Sequence, residues 1–128
     1  HRGAMTGLEG FELDPLFSRD DLIAARRAIA EIRLSEEVIV YIVDVVRATR
    51  DHASLMCGAS PRAANMLATA SRAWAALHGR DFVIPDDVKD IAVAALAHRV
   101  VLSPSAEIEG TTSADIIRSL LDQVAAPR

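Results

Sequence analysis

The sequence predicts an all-α fold, a compact bundle of about five helices, on three observations. Half of the 128 residues are hydrophobic (51%) while aromatics make up only 4%, and with abundant alanine this composition suits close-packed helices better than a β-sandwich or barrel. Apolar residues recur at three- and four-residue spacing along the chain, which is the helical period. Each periodic run also opens on Ser, Thr or Pro, with acids close behind in all but one, as helix starts do.

Ser18 precedes Arg19, Asp20 and Asp21, and Leu22, Ala25, Ile29 and Ile32 follow at helical spacing, so a first helix is predicted from about Ser18 to Arg33. Ser35 opens the second, with Glu36 and Glu37 in its first turn and Val38, Ile39, Ile42, Val43 and Val46 as the stripe expected to face the core. The β-branched density of VIVYIVDVV would also suit a strand, but the 3,4 spacing, the acidic first turn and the tail RATRDH favour helix. Leu55 to Ala59 reads as a loop.

The third helix begins at Ser60 and Pro61, turns Met66, Leu67, Ala70, Trp74 and Leu77 inward, and ends at Gly79. After an extended link, Asp81 to Ile84, Pro85 starts the fourth, whose buried face is Val88, Ile91, Ala95 and Leu96. VLSPSAEIEG reads as irregular. Thr112 or Ser113 caps the last helix, which carries Ile116, Ile117, Leu120, Leu121 and Val124. One domain is expected over residues 13–128, with 1–12, opening on HRGAM, a tag remnant or linker.

The net charge of −4 comes from thirteen arginines and the single Lys89 dispersed among eighteen acids, which disfavours a nucleic-acid surface. Cys57 is the only cysteine, so neither an internal disulfide nor a cysteine zinc site can be built, and a cytoplasmic setting fits. No apolar run approaches the ~20 residues that span a bilayer, and a soluble protein without a membrane partner is expected.

Catalytic patterns are scarce. The pairs Asp20 and Asp21, Glu36 and Glu37, and Asp86 and Asp87 stand in first helical turns, where carboxylates offset the helix dipole. His52, His78 and His98 lack a partner at the i, i+4 spacing of helical zinc ligands, and no metal site is expected. Cys57 has no evident base nearby in sequence, and GxSxG, GxxxxGK[ST] and GxGxxG are all missing. The chain should not hydrolyse a nucleotide by itself.

One stretch, GASPRA, departs from the pattern. With Ser60 as N-cap and Pro61 at N1, Arg62 falls at N2, where the free amides and the macrodipole already make the helix start positive. A phosphate would offset the conflict, drawing on the amides and on the planar donor fork of the guanidinium. A salt bridge to Asp51, or plain solvation, would offset it too. Arg62, Asn65, Thr69 and Arg72 continue as a polar stripe that is either solvated or lines an interface with another domain.

The run GASPRAANMLATASRAWAALHGRDFVIPDDVKDIAVAALAHRV resembles the lid region of MoxR-type AAA+ ATPases. Gly58, Ser60 to Ala63, Gly79 to Val83, Pro85 to Val88 and His98 to Val100 match the family pattern in order, and YIVDVVRATRDH resembles its preceding helix. The resemblance covers about Leu13 to the C-terminus. It implies that Arg62 is the sensor-2 arginine, with Ser60 and Pro61 beside it, reaching the γ-phosphate of ATP held with Mg2+ in a separate α/β core domain. It also implies a ring, commonly hexameric, formed with neighbouring subunits. Chaperone-like remodelling of partners that include von Willebrand factor A domain proteins is part of the same implication.

The phosphate loop belongs to that core and is not in this sequence. Arg50 is expected near the carbonyls that end the second helix, and Arg99 to reach towards a neighbouring domain. A helical protein-interaction module without a nucleotide role remains a competing reading, as does a histone-like fold, whose DNA-binding version the acidic balance opposes.

Overall fold

The computed structural model describes residues 15–127, so the expected tag remnant or linker at 1–12 and the boundary at Leu13 lie outside the described residues. Six α-helices account for most of the fold: α1 (Arg19–Glu31), α2 (Glu36–Asp51), α3 (Pro61–Leu77), α4 (Pro85–Leu96), α5 (Pro104–Ile108) and α6 (Ser113–Gln123). Strands β1 (Leu55–Cys57) and β2 (Val101–Leu102) pair antiparallel, Leu55 opposite Leu102 and Cys57 opposite Val101, with an irregularity between the two β1 positions. This ribbon replaces the loop predicted at Leu55 to Ala59, and β2 with α5 replaces the irregular segment. Both elements are too short for a periodic signal.

Helix starts follow local chemistry. The Ser18 side chain accepts from the Asp21 amide while Asp21 caps the Ser18 amide, and Thr112 and Asp115 repeat the arrangement at α6. Such a reciprocal box satisfies two free donors at once. Ser35 and Ser103 accept from Val38 and Ala106 at the starts of α2 and α5.

The core joins Val38, Tyr41, Ile42, Val45 and Val46 of α2 to Ala63, Leu67 and Ala75 of α3, Val88, Ala92 and Leu96 of α4, and Ile116, Ile117, Leu120 and Leu121 of α6. The α6 face is as predicted. On α2 the buried face is rotated: Tyr41, Val45 and Thr49 go inward while Ile39 and Val43 are exposed. Apolar residues nearly encircle this helix, so its periodicity alone could not fix the face.

Helix α3 is turned likewise. Ala63, Leu67, Ser71 and Ala75 are buried, Met66 and Leu77 are exposed, and Trp74 is half-buried with its indole N–H donated to Asp90 at 3.2 Å. Helix α3 packs chiefly against α4, and alanine or serine takes three of its four buried positions. Helix α1 ends at Glu31 and buries none of its residues. Leu22 and Ala25 are exposed, Ile29 is half-buried, and Ile32, just beyond the helix, reaches the core.

The α3–α4 turn is held by an ion pair that the sequence left unpaired. Gly79 takes φ +69°, a left-handed conformation that glycine adopts without a Cβ clash. Arg80 then donates two bonds to Asp87, at 2.6 and 2.5 Å, and Asp87 also accepts from the Ile84 amide at 2.9 Å. Burial pushes the Asp87 carboxyl up, but the bonds from Arg80 and Ile84, with the Arg80 charge, hold it below the usual range. The link at Asp81 to Ile84 is extended as predicted and bridges to the α1–α2 link, the Arg33 amide donating to Asp81 and the Val83 amide to Arg33.

Candidate functional site

Arg62 stands at the start of a 17-residue helix, and its position is built from the end of α2. The Thr49 hydroxyl, fully buried, donates to the Val46 carbonyl at 2.6 Å and accepts from the Ala59 amide at 2.9 Å. Arg50 Nε donates to the Ala59 carbonyl at 2.8 Å. Both polar groups of the Ala59 residue are therefore held by two consecutive α2 side chains. A Cβ on Gly58 would lie 2.6 Å from the Arg50 Cα and N and from the Thr49 carbonyl oxygen, so only glycine lets the chain pass this close to α2.

From Ala59 the chain enters α3. Ser60 is the N-cap, with extended backbone, but its side chain makes no capping bond, and Pro61 occupies N1. Ala63, fully buried, anchors the first turn from within, its amide bonded to the Ser60 carbonyl at 2.9 Å. The Arg62 side chain is left outward and exposed. Among the described residues its guanidinium has no hydrogen bond or ion pair, so the salt bridge to Asp51 weighed from sequence does not form. Every other α-helix among the described residues carries an acid in its first turn, and α3 carries none.

The stripe along α3 divides in two. Asn65 and Thr69 are exposed, the Thr69 hydroxyl folding back onto the Asn65 carbonyl, whereas Arg72 donates to the Ile32 carbonyl at 2.9 Å and ties α3 to the α1–α2 link. Arg50 likewise departs from expectation by serving Ala59 rather than the end of its own helix. Arg99 donates to the Ala95 carbonyl one turn back, at 3.1 Å. His52 accepts from the Ser54 amide and the His78 ring contacts the Trp74 carbonyl. Among the described residues no group of three metal-ligating side chains forms, and no helix is long and apolar enough to cross a membrane.

A surface depression of about 830 Å3 lies between the two extended links and is lined by Arg33, Leu34, Arg72, Phe82 and Ile84 among others. None of the Gly58 to Ala63 residues lines it. The candidate site is thus an exposed corner outside that depression. Sequence reading singled out Arg62, Ser60 and Pro61 as candidates but passed over Thr49, whose only signal was a hydroxyl on the apolar α2.

The all-α fold is that of a helical lid domain: the profile of the AAA lid domain family matches residues 47–120, and the chain belongs to that family. Among its relatives are the uncharacterised protein YeaC of Bacillus subtilis (38% identical over 90% of this chain and 36% of the relative) and the chaperone MoxR1 of Mycobacterium tuberculosis (33%, over 88% and 32%). A solved structure from Cytophaga hutchinsonii, named as a candidate ATPase, superposes with a TM-score of 0.81 at 33% identity, covering 85% of this chain and 36% of that one. Together with the MoxR relatives, this makes the chain a lid of the MoxR type of AAA+ ATPase. It spans about a third of the length of the first two relatives.

Proposed function

We propose that this domain is the C-terminal helical lid of an ATP-hydrolysing machine and that Arg62 serves as its sensor-2 arginine. The observation that carries the reading is the exposed Arg62 guanidinium, unpaired among the described residues, at the one described α-helix start without an acid. An anion from another domain fits that corner: the guanidinium offers a planar donor fork, the α3 dipole adds positive potential, and the Ser60 hydroxyl is not engaged in capping. Pro61 has no N–H to donate, so its part is to fix the geometry of the first turn.

ATP and Mg2+ would be held by the α/β core domain of the same protein, the metal neutralising charge during phosphoryl transfer. Arg62 would bind the terminal phosphate and stabilise the charge that develops there, a contribution of the electrostatic kind that dominates such reactions. By itself the domain is not an enzyme. The same reading extends to a cytoplasmic ring, commonly hexameric, that remodels partner proteins in a chaperone-like manner, von Willebrand factor A domain proteins among them. The extent 13–128 for the lid belongs to this proposal.

The test is steady-state ATP turnover of the intact protein and its Arg62→Ala variant, with circular dichroism to verify folding. A fall of ~10-fold or more, the scale of a lost transition-state contact, supports the assignment. Unchanged turnover with unchanged ATP binding refutes it and leaves a helical interaction module that acts through its surfaces.

A further inference from the structure

We infer that Thr49, Arg50 and Gly58 are positioning residues for Arg62, a clamp that fixes the start of α3 against the end of α2. The inference rests on the sensor-2 reading of Arg62 and adds to it the means by which an exposed arginine keeps its place. The argument begins with Ala59. Its N–H is bonded to the Thr49 hydroxyl at 2.9 Å and its C=O to Arg50 Nε at 2.8 Å, so the residue is fixed from both sides. Two residues, Ser60 and Pro61, separate it from Arg62, and Pro61 has its φ locked by the ring.

Thr49 is itself fixed, because its hydroxyl also donates to the Val46 carbonyl at 2.6 Å and the side chain is fully buried. The α2 backbone therefore sets the location of the Ala59 amide through a hydroxyl that has no free rotation. Gly58 adds a second constraint of a different kind, since contact with Thr49 and Arg50 backbone atoms leaves no space for a Cβ. A displacement of the corner by an ångström would move Arg62 by a similar distance, and misplacements of that size can lower a rate by up to ~100-fold. Helix α3 begins without a side-chain cap. The clamp supplies from α2 the fixing that a cap would otherwise provide at that end.

The experiment uses Thr49→Val, which keeps the side-chain shape and removes both hydroxyl bonds, and Thr49→Ser, which restores them. Each is made in the intact protein alone and combined with Arg62→Ala, and kcat and KM for ATP are measured. In this chain, hydrogen exchange of the Ala59 amide reports the clamp independently of activity. Thr49→Val is expected to speed Ala59 exchange and to lower kcat about tenfold with little change in KM, within the range set by misplacement. Thr49→Ser is expected to recover both, and Thr49→Val is expected to have no further effect on kcat once Arg62 is alanine.

An equal loss of kcat from Thr49→Val in both backgrounds would overturn the clamp, because the effect would not pass through Arg62. Faster Ala59 exchange with full kcat would overturn it too, while a loss in Arg62→Ala left the sensor-2 reading standing. Full turnover in Arg62→Ala would remove that reading, and the clamp's role with it.

Discussion

Removing Arg80 should be one of the more damaging single changes outside the apolar core. The side chain is 26% exposed, but the carboxylate it holds is 2% exposed, and Arg80→Ala would leave Asp87 with the Ile84 amide as its one hydrogen-bond donor among the described residues. Breaking a buried pair from one side costs ~3–5 kcal/mol. Because water can reach the Arg80 end, about 3 kcal/mol is expected. Asp87→Ala should cost less, about 2 kcal/mol, since Arg80 can turn to solvent and the main further loss is the cap on Ile84.

The double variant should lose about 2 kcal/mol, as Asp87→Ala does, rather than the sum, because it removes the pair without leaving a buried carboxylate unpaired. Urea unfolding followed by circular dichroism measures all three, with an unchanged slope as the sign that the unfolded state is not altered. A cost below ~1 kcal/mol for Arg80→Ala, or strict additivity, would refute this account of the turn. The pH dependence gives a second check. The folded Asp87 carboxyl titrates below its unfolded value, so its contribution is complete above about pH 4 and disappears as the pH falls through the lower folded value. Asp87→Asn should therefore flatten the acid limb of the stability profile.

Arg62→Ala should leave stability unchanged or raise it by a few tenths of a kcal/mol, since a cation beside the positive end of α3 is removed and no bond is lost; urea midpoints decide this. Thr112→Ala should cost about 1 kcal/mol by removing the α6 capping box, and hydrogen exchange should show the loss first at the Asp115 amide. Trp74→Ala should cost about 2 kcal/mol, below the range of a fully buried aromatic, because the ring is half-buried and its N–H bond is to Asp90 near the surface. Thermal unfolding would expose an error if the loss reached the full buried value.

The sequence carried the helices because each start depends on residues within four positions: Ser18 with Asp21, Ser35 with Glu36 and Glu37, and Thr112 with Asp115. It marked Arg62 as a candidate because a cation at the positive start of a helix is visible locally. The buried face of α2 was not legible, since Ile39, Val40 and Val43 are as apolar as the residues that go inward, and only packing against α3 and α6 decides among them. Asp87 read as one of three similar acidic pairs until the turn brought Arg80 to it. The Thr49 bonds to Ala59 bridge two elements, and no pattern within either one announces them.

The β1–β2 ribbon has a consequence for the order in which the fold assembles. Residues 55 and 102 are far apart in sequence yet opposite one another, and everything between them forms the α3–α4 hairpin with its stabilising turn. Helices and the Arg80–Asp87 turn draw on nearby partners and can form quickly, whereas the ribbon must wait until both ends of the hairpin have met. Its closure would then be a late kinetic step, reached from a hairpin already folded on itself. Mutations in the ribbon should accelerate unfolding more than they slow refolding.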